Sequence, residues 1–193
     1  VLLETLVGLR NPDQGRVLLD DRSLSGIDAT ALRRLGAILI ETPKVLPVTL
    51  RKNLDLDRRY EDDGLEDAMG RTGLAAIVEK LPLGFNTILD PRRTGLDLAT
   101  RLSATRCLLN AFQFVVAVDQ PNLRNTEWGR TFMNELARED CTRIIATSNP
   151  DILAKADRIL VFDAEGILVA DGNLESLRSS STTLPPSIDE AIR

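Results

Sequence analysis

Apolar positions along the chain switch between two periods, and the switches predict its elements. Phe114 to Val118, FVVAV, is an unbroken apolar run that stops on Asp119, Gln120 and Pro121. A run this short and this rich in valine predicts a strand buried on both faces, as in the middle of a parallel sheet. Ala37 to Glu41 and Arg143 to Thr147 read as further strands, and Arg16 to Asp20 as a short one after the turn Asn11 to Gly15. Helical spacing marks Val1 to Leu9, a short helix to Leu35 capped by Asp28-Ala29-Thr30, Leu98 to Phe112, and Glu127 to Glu139. Leu65 to Leu81 predicts two short helices around Gly73, with Leu65, Met69, Leu74, Ile77 and Leu81 inward. Near the end, Asp151 to Ala156 is a helix, Arg158 to Phe162 and Ile167 to Ala170 a hairpin, and Asn173 the cap of a last helix. Alternating strands and helices predict an α/β fold with a mostly parallel sheet flanked by helices.

The segments between these elements differ in kind. Glu41 to Leu54 is a loop held by Pro43 and Pro47 that ends in a helical turn at Thr49. Asp55 to Asp63 is charged and expected to be solvated, and the stretch after Pro82-Leu83-Gly84 is irregular through Arg93. From Ser179 the chain turns to Ser, Thr and Pro and is expected to be flexible. Val1 to Leu9 has no cap and no preceding strand, so the domain is expected to begin upstream of it.

Composition removes whole classes of chemistry. With 193 residues, 43% of them hydrophobic, the chain can bury one full core. A net charge of −5 argues against nucleic acid as the main partner. No apolar run approaches membrane-spanning length, so these residues are expected to be soluble by themselves. The chain has no histidine, which excludes His-based acid–base chemistry, Ser-His-Asp triads and His-ligated metals. Cys107 and Cys141 lack ligand spacing and read as reduced, incidental thiols. Asp119 is the first candidate for chemistry. At the carboxyl end of a buried strand it is placed to hold a hydrated Mg²⁺ on a nucleotide phosphate, or equally to start a turn or cap the next helix.

The order of segments resembles the nucleotide-binding domain of ATP-binding-cassette transporters of the exporter type. GLRNPDQGRVLLDD, residues 8–21, resembles the stretch after that family's phosphate loop, and ETPKVLPVTLRKNL, 41–54, its Gln-loop and the following turn. LPLGFNT, 81–87, is similar to the approach to the signature motif, VVAVDQP to the Walker B strand, and ADRILVFDAEGILVADGNLESL, 156–177, to the closing hairpin and helix. The resemblance implies a P-loop NTPase-like core with a small helical subdomain. Residues 1–54 and 113–178 would be the two parts of the core, 55–112 the helical subdomain with the signature region, and 179–193 a flexible tail.

Position by position, the family's catalytic residues are altered here. The phosphate loop, G-x-x-x-x-G-K-[ST], would lie immediately before Val1. The Gln-loop glutamine is Glu41, which could still take metal with Asp119, the retained Walker B aspartate. The catalytic glutamate is replaced by Gln120, an amide that accepts no proton at neutral pH; losing a general base typically costs about 10²- to 10⁴-fold in rate. Ser148 stands where the switch histidine belongs. The signature L-S-G-G-Q is replaced by TGLDLATR, which is shorter. Gly95, Leu96 and Asp97 occupy the region that meets the partner's phosphate, and Asp97 brings an unfavourable charge there. Gly95 also reads as a helix-start residue. The D-loop is replaced by Leu123-Arg124-Asn125-Thr126.

For the family the resemblance implies ATP and Mg²⁺ as cofactors, and the altered positions put their binding by this chain in question. It also implies a second nucleotide-binding domain and a transmembrane domain as partners, at the cytoplasmic face of a membrane. Two readings remain open. One is an ATP-binding domain with impaired hydrolysis that supports a competent partner; the other is a cassette-fold pseudoenzyme that acts as a scaffold without ATP. A sequence under no functional constraint is a third.

Overall fold

The structure is a computed structural model that describes residues 1–28, 31–32, 35–39, 43–56, 58–109, 112–136, 141–179 and 189. The chain divides into two compact units, residues 1–145 and 146–193. The first opens with helix α1 (Leu2–Leu6) and a hairpin of β1 (Leu18–Leu19) and β2 (Arg22–Ser23). The hairpin turns on Asp20 and Asp21, both with positive φ (46° and 65°), the geometry of a tight two-residue loop. The sequence reading had a single strand there. Asp28 accepts a hydrogen bond from the Ala31 amide at 3.0 Å, as its reading as a cap requires.

Strands β3 (Gly36–Leu39), β4 (Phe114–Val118) and β5 (Thr142–Ala146) form a sheet in the order β3-β4-β5. β4 runs parallel to β3 in the register Gly36↔Phe114 through Leu39↔Ala117. Its alternating side chains serve separate cores. Val115 and Ala117 join Ala37, Leu39, Ala104, Cys107, Leu123, Phe132 and Leu136 on one face. Phe114 and Val116 join Val7 and Leu32 on the other, with Leu3, Leu24 and Ile144 packed around them. The FVVAV run has no polar position because each side of the strand is covered.

A third core contains no strand. It is built by α2 (Leu50–Leu54), α3 (Asp62–Arg71), α4 (Ala75–Val78) and the first half of α5 (Leu96–Leu108). Leu65, Met69 and Leu74 are buried in it, with Ile77 and Leu81 packed at its margin, as their helical spacing predicts. α6 (Pro121–Arg124) and α7 (Glu127–Leu136) follow in the same unit. Gly129 in α7 lies so close to α6 that a Cβ there would fall 2.1 Å from the Leu123 carbonyl oxygen.

Several expectations need correction. α5 begins at Leu96 and ends at Leu108, not at Leu98 and Phe112, because the extended backbone of Gly95 (φ −65°, ψ 157°) supplies the N-cap earlier. The charged stretch from Asp55 is not uniformly solvated. Asp55 is buried, and its Oδ2 accepts the Tyr60 amide at 2.8 Å, closing the 55–60 loop. Ile40, Glu41, residues 137–140 and the tail at 180–188 and 190–193 lie outside the described residues.

The second unit holds α8 (Pro150–Leu153), the antiparallel pair β6 (Ile159–Phe162) and β7 (Leu168–Gly172), and α9 (Leu174–Ser179). Leu153, Ile159, Val161 and Leu177 form its core. Asn173 caps α9 by accepting the Ser176 amide at 2.8 Å, and the hairpin turns on Gly166 at φ 83°.

Candidate functional site

The carboxyl end of β4 carries the candidate chemistry. Asp119 follows the last strand residue, and Gln120 is the N-cap of α6, with Pro121 in the first turn, where a missing N–H costs nothing. The Gln120 carbonyl accepts the Leu123 and Arg124 amides at 3.0 and 2.9 Å. Leu123 is fully buried and anchors the turn against the sheet. That single turn brings Arg124 back over Asp119. Its Nε and Nη2 both donate to Asp119 Oδ2, at 3.1 and 2.8 Å. The Asp119 side chain is 1% exposed and that of Arg124 39%, so a buried carboxylate is compensated by a cation reaching in from the surface.

The signature region is a second, separate cluster. Gly95 and Leu96 are exposed at the start of α5, and a Cβ on Gly95 would meet nothing within 4 Å. Asp97 accepts Arg101 Nε at 2.9 Å and Trp128 Nε1 at 3.2 Å. The Arg101 guanidinium lies 4.4 Å over the Trp128 ring, and its Nη1 donates to the Thr72 carbonyl at 2.9 Å. Gly73, with φ 66°, makes room for it; a Cβ there would stand 2.5 Å from Arg101 Nη1. Asp97 is therefore held by its own chain and ties α5 to α7. Pairings of this type contribute about 0.5–1 kcal/mol at exposed sites.

In the loop before α2, Glu41 lies outside the described residues. Thr49 caps α2 by accepting the Lys52 amide at 3.2 Å, as its place in the sequence predicts. Asn53 organises the loop: Oδ1 accepts the Leu46 amide at 2.8 Å, and Nδ2 donates to the carbonyls of Leu46, Val48 and Thr49 at 2.9, 3.3 and 3.2 Å. Arg106 reaches across from α5 to the carbonyls of Asn53 and Lys44 at 2.6 and 3.0 Å. Burial holds its pKa below the ordinary arginine value. Beside this network runs an open groove of about 310 Å³, lined in part by Lys44, Lys52, Arg59, Leu46 and Leu56.

Ser148 lies in the second unit, exposed, between β5 and the Asn149 cap of α8. The structure thus brings Asp119 and Gln120 together and sets Gly95, Leu96 and Asp97 at the start of another helix. Sequence reasoning missed Arg124, Arg101, Asn53 and Arg106 as organising residues. For Arg124 a signal was available. Proline after an apolar strand predicts a helical first turn, and a first turn sets Arg124 above the strand end.

The described residues do not fit Mg²⁺ at Asp119. A hydrated Mg²⁺ needs an accessible carboxylate and room for its waters. Asp119 is buried and already engaged by a guanidinium, and the adjacent Gln120 is neutral. Among the described residues no group of three or more His, Cys, Asp or Glu side chains is placed to hold a metal.

Comparison with known proteins follows the same line. No protein-family profile matches the chain. It is 27% identical over 181 residues to the mycobactin import ATP-binding/permease protein IrtB of Mycobacterium bovis, covering 91% of this chain and 31% of that protein. It is 26% identical over 185 residues to the ABC transporter ATP-binding protein YfiB of Bacillus subtilis, covering 93% and 32%. The multidrug resistance-like ATP-binding protein MdlB of Buchnera aphidicola is 24% identical over 180 residues, covering 91% and 31%. The fold matches that of a bacterial Atm1-family ABC exporter solved with ATP bound, at a TM-score of 0.75, 22% identity, and 92% and 32% coverage. The chain spans about a third of the length of these relatives. No helix among the described residues is long and apolar enough to cross a membrane. Over nine-tenths of its length the chain is thus similar in sequence to ATP-binding proteins of ATP-binding-cassette transporters, and its fold is like that of a bacterial Atm1-family ABC exporter.

Proposed function

We propose that the chain is the ATP-binding domain of an ATP-binding-cassette transporter, impaired in hydrolysis, and that it supports a competent partner domain. The observation that carries the impairment is the end of β4. The residue beside the Walker B position is Gln120, an amide unable to take a proton from water, and Asp119 is neutralised by Arg124. Asp97 at the signature position is bound to Arg101 and Trp128, which favours a structural role for that helix start. Residues 55–112 would form the helical subdomain. The groove with Lys44, Lys52, Arg59 and the exposed Leu46 and Leu56 offers a surface of the right character for a membrane domain at the cytoplasmic face. A second nucleotide-binding domain would complete the assembly.

Steady-state ATP hydrolysis and ATP binding by the parent protein test this reading together. Binding with turnover well below about 1 per second is expected; turnover in the ordinary enzyme range, about 1 to 10³ per second, would overturn the impairment. Absence of ATP binding would overturn the nucleotide assignment itself.

A further inference from the structure

We propose that Arg124 is the resident cation of this site: its guanidinium takes the place at Asp119 that a divalent metal would need, so the site is built to work without one. The inference deepens the nucleotide-binding reading above and rests on it for its biological meaning, but its geometry stands alone. Three observations carry it. With Arg124 in place the Asp119 carboxylate is 1% exposed, which leaves no room for a hydrated octahedral ion beside the guanidinium. A buried carboxylate demands a compensating charge, and Arg124 supplies it with two donors on Oδ2, at 3.1 and 2.8 Å. Finally, the arginine is aimed by the backbone. Pro121 and the Gln120 cap start α6, Leu123 is fully buried beneath it, and Gly129 lets α7 close on the Leu123 carbonyl.

An arginine cannot lose its proton at any pH a folded protein meets, so the compensation is permanent, unlike that of an exchangeable metal. The guanidinium is 39% exposed, so part of it stays open to solvent while the rest holds Asp119.

The test uses Mn²⁺ alone as a paramagnetic probe on the 193-residue chain, read by amide NMR. The wild type is expected to keep the amide signals of Val118, Asp119 and Gln120, and Arg124→Gln to lose them as Mn²⁺ is added. Arg124→Lys, which keeps a cation there, should behave as wild type. Loss of these signals in the wild type, or their survival in folded Arg124→Gln, would overturn the proposal. If Arg124→Gln does not fold, rescue of folding by adding Asp119→Asn supports the ion pair, and failure of rescue overturns it. No nucleotide is present, so failure here leaves the ATP reading standing, and failure of ATP binding leaves this result standing.

Discussion

Cys107 sits fully inside the first unit, on the face of α5 that meets the sheet. Burial pushes its thiol up to about 12, with the neighbouring Arg106 pulling the other way. In the unfolded chain the same thiol ionises near pH 8.5. Its contribution to stability is therefore fully present below that pH and is lost as pH rises toward 12, because only the unfolded state releases the proton. Urea midpoints measured from pH 7 to 10 should fall more steeply for the wild type than for Cys107→Ala; equal slopes would show that the thiol is not buried. The same residue scale holds the two arginine pairs. Asp119 was legible as a candidate from its place at the end of an apolar strand, and Asp97 only through the resemblance to the signature region. The engagement of Asp97 by Arg101 was not legible, because a pairing four residues away depends on where the helix begins; that of Asp119 by Arg124 was signalled only by the turn that Pro121 starts.

Among the elements, the 43–54 loop shows how one polar side chain replaces regular structure. Asn53 is buried; its Oδ1 meets the Leu46 amide, and its Nδ2 adds a second donor to the carbonyls of Leu46, Val48 and Thr49, which also accept the backbone amides of Val48, Leu89 and Asn53. Asn53→Ala would leave the Leu46 amide unmet and remove the Arg106 contact at Oδ1, while the three carbonyls keep their backbone donors. A loss of about 1–3 kcal/mol is expected in equilibrium unfolding; Asn53→Asp, keeping the acceptor but not the donors, should recover only part of it. Pro43, Pro47 and Thr49 announced a shaped loop ending in a cap, and Thr49 does cap α2. The extent of α5 was less legible. Leu96 is 58% exposed, so its apolar side chain gave no inward period to mark the first turn, and the start was set by Gly95 instead.

At the scale of the molecule, β4 has apolar cover on each face, and the cores on either side meet at the sheet, through β4 and through β3, whose Ala37 and Leu39 join one core and Ile38 the other. Its amides from Val115 to Ala117 should be among the slowest to exchange with solvent, near the global unfolding limit, while those of the β1–β2 hairpin exchange much sooner. Comparable protection in the hairpin and in β4 would contradict that placement. The relatives run about three times the length of this chain, so what their names say of transport is said of those longer proteins. The second unit was legible nearly element by element, since the hairpin and the Asn173 cap are local pairings with turn residues at fixed offsets.

The sequence alone determined the central strand, the alternation of strand and helix, the helical cluster and the residue types at the candidate positions, because periodicity and residue chemistry are local properties. It also determined that Gln120 cannot act as a base. Only the tertiary structure decided that Asp119 is sealed under Arg124, that Asp97 is tied to Arg101 and Trp128, and that Asp55 is buried. Each of those outcomes depends on which surface a side chain faces once neighbouring elements have packed. Whether a carboxylate stays hydrated or is paired is a balance of desolvation and contact, and that balance exists only in the folded chain.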